Sequence, residues 1–477
     1  LNLQIESQTT AGQGAANMLT DQRDEAISQL SNLMQVQTSQ NPLLKINGLS
    51  GVDSSLVTQG SSLQIGVGTD GNGNLGVYVG NNQNSLVTDV QGGQLGALIN
   101  LHNNLLPQVQ QQIDTLAAQI AQQFNAVHSQ GVGAGGSFTG LTGWTMPAGT
   151  AQSWGAGVTA GNVYVNVTDQ ATGAMAQSAV AIDPATDDLS SIAGKFGAIA
   201  GLSASVVDGQ LHIAADSGYK FDFLPALQST PAASTLSGTS AATLSGNYTG
   251  AANDVLTFTV VSGGTVGVDG DVSLEERNSA GELVNTIQVG QGYAAGDAIA
   301  AGNGISLAMS AGTLVTGDSF TVNAIANSDT AGLLPAVGMN ALFQGNSALD
   351  LEVSPDILND PSQLATSQTP GGTDNLNLQK MLALQNANLP QLNNTNFSDS
   401  YNQLMTNTGQ QISVLQARQT SMNSMMQQLT QQQSTVSGVD INDETAKLME
   451  YEQLFQSMAK YVSTSEQAVQ SLLQVIG

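Results

Sequence analysis

FSDSYNQLMTNTGQQISVLQARQTSMNSMMQQLTQQQSTVSG, residues 397–438, decides the fold. From Tyr401 its apolar residues recur on a seven-residue step, with Leu415, Met422, Leu429 and Val436 on one row and Met405, Ile412 and Met426 on the next. That spacing predicts a coiled-coil seam on a long helix. The intervening residues are Gln, Ser, Thr and Asn with almost no charge, and no Pro follows Pro390. The helix can therefore run about 35 residues, or roughly 50 Å.

Ser437 and Gly438 break it. Asp440 or Asn442 can cap a second helix, whose first turn carries Asp443 and Glu444 toward the positive end of the dipole. Along it Leu448, Tyr451, Phe455, Met458, Val462, Val469, Leu472 and Ile476 fall three, four or seven apart. Two such helices form no globule alone, so their seam must be covered by something else.

One candidate cover lies far upstream. Leu98, Leu101, Leu105, Val109, Ile113, Leu116, Ile120, Phe124 and Val127 repeat the same spacing, and pairing would bury Ile113, Leu116, Ile120 and Phe124 against Met405, Ile412, Leu415, Met422 and Leu429. Pro107 falls inside this pattern, which predicts a kink or a fresh start capped from Asn103 or Asn104.

Several strings resemble the flagellar hook-associated protein 1 family. At the C-terminal end, where Ser437-Gly438-Val439, Asp443-Glu444 and Tyr451-Glu452-Gln453-Leu454-Phe455-Gln456 resemble the wider C-terminal signature of flagellar rod, hook and hook-associated proteins, they are Phe397-Ser398-Asp399-Ser400-Tyr401 and the Gln-rich helix. Upstream they are Asp21-Gln22-Arg23-Asp24, Gly92-Gly93-Gln94-Leu95-Gly96-Ala97-Leu98 and Phe124-Asn125-Ala126-Val127-His128. Asp329 to Leu334 and Gly338 to Gly345 resemble the family's return path. The likeness covers roughly residues 1–138 and 328–477.

The rest of the chain reads as excursions from this frame. Leu1 to Val36 carries two helical pieces, and the chain, opening at Leu1 within a helical pattern, is expected to lack its natural N-terminus. Asn41-Pro42 ends the second piece, and Ser62 to Val67 with Leu75 to Val79 make a hairpin across Asp70 to Asn74. Val163, Val165 and Val167 alternate, Leu189 to Ile199 is a short helix, and Leu211, Ile213, Tyr219, Phe221 and Phe223 are strand-like. Ser229 to Asn253 is a neutral stretch, either linker or weak edge strands. Short alternating strands from Leu256 to Val322 suggest a β-sandwich, and Leu333 to Phe343 returns to helical spacing.

The predicted class is α+β multidomain: a discontinuous coiled-coil-like helical rod domain with a β-hairpin, plus inserted β-rich domains. The expected divisions are 1–147 for the first part of the rod domain, 148–227 for a small mixed insert and 228–328 for the sandwich-like insert. A return segment follows at 329–396, then the long rod helix at 397–438 and an assembly helix at 439–477.

Composition narrows the function. The chain has 477 residues, too many for one core, and a net charge of -27 with only 9 basic residues. Such a surface repels nucleic acid and anionic membranes. There is no Cys, which removes disulfides and thiolate chemistry, and no apolar run of membrane-spanning length. No n-region and h-region open the sequence, so no cleavable signal peptide is expected, and the lack of Cys fits cytosol or an exported chain equally well.

Motifs for chemistry are weak. Gly66 to Gly71 and Gly131 to Gly136 both satisfy G-x-G-x-x-G, but neither stands between a strand and a helix. Asp70, Asn72 and Asn74 open like a calcium loop, yet Leu75 and Asn81 occupy the places of its Gly and Glu. Asp187-Asp188 and Glu275-Glu276 are adjacent pairs whose side chains point apart, and both read as solvated surface. His102, His128 and His212 form no metal-binding spacing; His212 is expected to face outward, opposite Leu211 and Ile213. No catalytic, cofactor or metal site is predicted.

The resemblance implies a non-enzymatic flagellar structural protein at the extracellular hook–filament junction, exported by the type III route. It implies self-association in a helical ring, contacts with hook protein and the second junction protein, and an export chaperone. Leu448, Tyr451, Phe455, Met458, Val462 and Leu472 would form the terminal assembly face, because in the family this helix pairs with an N-terminal one. The rival readings are the second junction protein, a flagellin-like subunit, a secreted adhesin using residues 144–327, and an export-linked hydrolase.

Overall fold

The computed structural model describes residues 4–5, 13–40, 44–48, 55–58, 61–80, 86–90, 92–155, 157–437 and 441–476. Two compact units are present, Leu1–Tyr401 and Asn402–Gly477.

The first unit opens with helix α1 (Gln13–Leu33), and a strand, Val36–Gln40, follows two residues later. The chain thus leaves the helix well before Asn41 and Pro42, which lie outside the described residues. Four short strands, Val36–Gln40, Leu44–Gly48, Ser55–Thr58 and Ser61–Ser62, form an antiparallel meander. The hairpin pairs Ile65–Thr69 with Leu75–Val79. Its turn is closed by Asp70, whose Oδ1 accepts the N–H groups of Asn72 and Asn74 at 2.8 Å each. The supposed calcium-loop spacing is therefore an Asx-type turn. Met34, Leu56, Val77, Val79, Val90 and Ile99 are the core of this part.

Helix α2 (Gly93–Asn100) starts against the end of α1. A Cβ on Gly93 would lie 2.4 Å from the Leu33 carbonyl carbon, and its φ is +63°, so only Gly fits. α2 runs through a π turn at Leu101–Leu105 into α3 (Leu106–His128). Pro107 is accommodated by this widened turn instead of by the expected side-chain cap. It has no N–H for the carbonyl four residues back, and the Leu106 N–H reaches the Leu101 carbonyl instead. Asn103 has other work: its side chain accepts from Leu75 N at 2.8 Å and donates to Leu75 O at 2.8 Å, tying the hairpin to the π turn.

Beyond α3 the chain builds two β-rich cores. In the first, two three-stranded antiparallel sheets pack with helix α4 (Leu189–Gly197). Val163, Val165 and Val167 all face inward, as their alternation predicts. Ala331, Leu333, Leu334, Val337 and Met339 of the returning chain complete that core. In the second, a five-stranded and a three-stranded sheet enclose one core. Phe258 and Phe320 stand opposite each other in register with stacked rings 4.9 Å apart. The neutral stretch supplies edge strands at Ala233–Ser234 and Ala242–Gly246.

Returning, the chain makes a single helical turn at Leu333–Ala336, not a helix to Phe343; Gly338 at φ +71° and Asn340 at φ +50° turn it away. Helix α5 (Leu376–Ala383) follows. Helix α6 (Phe397–Ser437) begins in the first unit and continues into the second, where helix α7 (Ile441–Ile476) completes the chain.

Candidate assembly site

In the first unit, the end of α3 is tied to the returning chain by several side-chain hydrogen bonds. A helix terminus leaves its last carbonyls without intrahelical donors, so burying one demands partners. The returning chain supplies them. Asn340 Nδ2 donates to the carbonyls of His128 and Gly131, each at 3.1 Å. Asn377 Nδ2 donates to Val127 O at 3.1 Å and Ala365 O at 2.8 Å. In the other direction, Asn125 Oδ1 accepts the N–H groups of Leu342 at 2.9 Å and Phe343 at 2.8 Å, while its Nδ2 donates to Phe343 O at 2.8 Å.

His128 is the centre of this clamp and is fully buried. Ala365 N–H donates to its Nε2 at 2.9 Å, so Nδ1 carries the proton and donates to Asn340 O at 2.8 Å. Burial pushes its pKa down to about 4, against a small opposing effect of the Asn340 carbonyl. The ring is neutral at pH 7. Aromatic contacts extend the clamp: Phe124 meets Phe343 edge-on at 5.9 Å and stacks on Phe397, the first residue of α6, at 6.3 Å.

A second node fixes the exit toward the first insert. Ser137 Oγ donates to Asp222 Oδ2 at 2.6 Å, and Asn166 Nδ2 donates to Asp222 Oδ1 at 2.8 Å. Burial raises the Asp222 pKa, opposed by these bonds. Asp329 holds the start of the return, accepting Leu333 N at 3.1 Å and Leu334 N at 2.7 Å. Its pKa is pushed up to about 6 by burial, against the backbone N–H groups it accepts.

Of the predicted seam on α3, Ile113, Leu116, Ile120 and Phe124 are half-buried. The second unit is different in kind. From Gln410 to Gln470 every described side chain is exposed. On α6, Met405, Ile412, Leu415, Met422 and Leu429 are all at least 45% exposed. On α7, Leu448, Tyr451, Phe455, Met458 and Val462 are all at least 58% exposed. The side chains of Val436 and Leu472 lie outside the described residues. Helices of this length in water draw most of their stability from packing an apolar face, so these faces call for a partner.

Two expectations about charge are corrected. Glu275 and Glu276 do point apart, but only Glu275 is on the surface, paired with Arg277 at 2.7 Å. Glu276 turns into the sandwich, fully buried, with no partner for either carboxylate oxygen. Asp187 is also buried, bonded to Lys195 at 2.6 Å and to Asp183 N at 2.8 Å, while Asp188 caps α4. His212 lies on the face opposite the buried Leu211 and Ile213, where it is half-buried with Nδ1 2.9 Å from Thr142 Oγ1. In the sequence Asn125 and His128 stand within a family string, and His128 is weighed only for metal spacing. The bonds that join them to Asn340 and Asn377 therefore went unpredicted, although an Asn and a His three apart at a helix end was an available signal. Among the described residues no group of three metal-ligating side chains occurs, and no helix is long and apolar enough to cross a membrane.

Comparison with known proteins gives the following. Residues 1–142 match the family model of the flagellar hook-associated protein FlgK helical domain. Flagellar hook-associated protein 1 of Salmonella typhimurium is 33% identical over 114 residues, 24% of this chain and 20% of that protein. The Escherichia coli protein of the same name is 25% identical over 175 residues, 34% of this chain and 31% of that protein. The chain thus spans 20% and 31% of the lengths of these curated relatives. Among solved structures, the flagellar hook junction protein FlgK from Burkholderia pseudomallei is similar at 20% identity and a TM-score of 0.40, covering 91% of this chain and 80% of that one.

Proposed function

The chain is a distant homologue of the flagellar hook-associated protein 1 family, and on that premise we propose that it is a non-catalytic structural subunit of the hook–filament junction, outside the cell. One observation carries this reading: among the described residues, the apolar rows on α6 and α7 are exposed. Covering each such side chain is worth about 1.5–3 kcal/mol, and in a ring of copies that gain offsets the entropy of ordering the helices. The α7 row of Leu448, Tyr451, Phe455, Met458, Val462 and Leu472 meets neighbouring subunits, and the α6 row of Met405, Ile412, Leu415, Met422 and Leu429 is likewise covered by further copies.

The partners are further copies of the chain in a helical ring, hook protein on one side and the second junction protein on the other, with a chaperone during export. Deleting Leu448 to Gly477 in a motile cell tests this. The expected result is truncated protein released to the medium and hooks without filaments; a normal filament on every hook overturns the proposal.

A further inference from the structure

A cleft of about 410 Å³ opens in the first unit between α3 and the first insert. The chain has two tryptophans, and both Trp144 and Trp154 line it. Each ring is half-buried. Trp144 is backed by Gly338, where a Cβ would stand 2.1 Å from the indole, so the backbone itself braces the ring. Facing them on α3 are the amides Gln119 and Gln122, joined by a 3.3 Å bond from Gln119 Nε2 to Gln122 Oε1. No charged side chain lines the cleft.

Two polar atoms of this lining are out of balance. Gln119 Oε1 and Trp154 Nε1 are buried and neither has a hydrogen-bond partner. Dehydrated acceptors and donors of this kind are costly to leave unmade. Both atoms are closed off from solvent, so a ligand in the cleft reaches them only as the Gln119 and Trp154 side chains turn toward it, and each then gains the bond it lacks.

We propose that this cleft binds a small neutral saccharide. Indole faces take the apolar C–H face of a sugar ring, and the unpartnered Trp154 N–H can bond a hydroxyl once the ring turns it into the cleft. A hydroxyl, donor and acceptor at once, suits both an indole N–H and an amide oxygen. The volume falls in the range of small-molecule sites, which are mostly apolar with a few placed polar groups and lie preferentially between domains. The lining has no cation to hold a phosphate or a carboxylate, and the net charge of -27 opposes anions.

Since both tryptophans line the cleft, the intrinsic fluorescence of the whole chain reports on it directly. The full chain is titrated to millimolar concentration with glucose, galactose, N-acetylglucosamine and their disaccharides, and with sialic acid and AMP as anionic controls. The expected result is a saturable emission shift with at least one neutral sugar and none with the anions. Gln119→Leu, which keeps both fluorophores, is expected to weaken that binding about tenfold, the loss of one hydrogen bond to a buried acceptor. Its thermal unfolding and emission without sugar, compared with wild type, separate lost binding from lost folding. Gln122→Ala gives a second, milder variant on the same wall. No saturable response to any neutral sugar, an equal response to the anions, or unchanged affinity in a folded Gln119→Leu protein each overturns the assignment.

Discussion

Two buried polar sites in the first unit are built on opposite terms. At the end of α3, Asn125 and His128 bond the returning backbone, and Asn340 and Asn377 of the returning chain donate to the α3 carbonyls in exchange. Inside the sandwich, Glu276 stands between Phe258 and Asn285 in register, and neither of its oxygens has a partner. The first is a tie between segments more than two hundred positions apart; the second is a cost carried by a β core. Satisfaction of the buried group, not its polarity, decides whether it holds a fold together.

The largest effect is expected at the clamp. His128→Ala leaves Asn340 O and Ala365 N–H without partners and opens a void, a loss of about 3–5 kcal/mol. Hydrogen exchange at Ala365 and neighbouring amides is the measurement, with fast exchange expected in the variant. Wild-type protection there would mean that water or another group replaces the ring and the clamp is not a tie. Proton linkage sharpens the same test. The folded pKa of His128, about 4, lies below the ordinary 6.5, so the unfolded chain binds the proton better. The ring's contribution is complete above pH 6.5 and lost as pH falls through 4, a change of about 3 kcal/mol. Asp329, raised to about 6, works the other way in the same unit. The signature is therefore the gap between wild type and His128→Ala, which narrows as pH falls.

Glu276 should respond with the opposite sign. Burial raises its pKa from 4.5 to about 7, so the folded state holds the proton more tightly. Its cost is absent below pH 4.5, grows as pH rises, and is complete above 7. Glu276→Met is expected to stabilise the sandwich at pH 8 by about 2–3 kcal/mol, and Glu276→Gln by less, because an amide there still lacks partners. Limited proteolysis within residues 254–324, followed from pH 5 to 8, checks both. A wild-type sandwich that gains resistance on going to pH 8 would show that the carboxylate has a partner after all.

The same contrast explains what could be read in the chain. The rows at Leu415, Met422 and Leu429, the hairpin and the inward run Val163, Val165 and Val167 are periodic, and periodicity is written in local spacing. Alternation also separates Glu275 from Glu276 correctly. Which of the two turns inward depends on a strand pairing with Phe258 that no local pattern contains. The clamp role of His128 was hidden for the same reason: its partners lie at Asn340 and Ala365. The turn at Asn340 was missed because apolar spacing from Leu333 to Phe343 outweighed the breaker Gly338 and an Asn able to take positive φ.

Between the clamp and the surface lies Asn103, whose amide bonds both backbone groups of Leu75 and the Thr88 carbonyl at 3.2 Å. Asn103→Ala is expected to cost about 1–2 kcal/mol. The loss should appear as faster amide exchange at Leu75, with the clamp amides unchanged.

The smallest effect belongs to the charges that carry part of the family likeness. Arg23, its side chain 18% exposed, pairs with the half-exposed Asp24 at 2.8 Å on α1. Water reaches the pair from the Asp24 side, so it contributes about 1 kcal/mol or less. Arg23→Ala is thus expected to leave the unfolding transition of the isolated chain in place, the reverse of His128→Ala. If the folded variant still fails to restore filaments to cells lacking the native protein, Arg23 acts between subunits. If unfolding shifts by as much as the clamp variant, the division between buried ties and surface charges does not hold for α1.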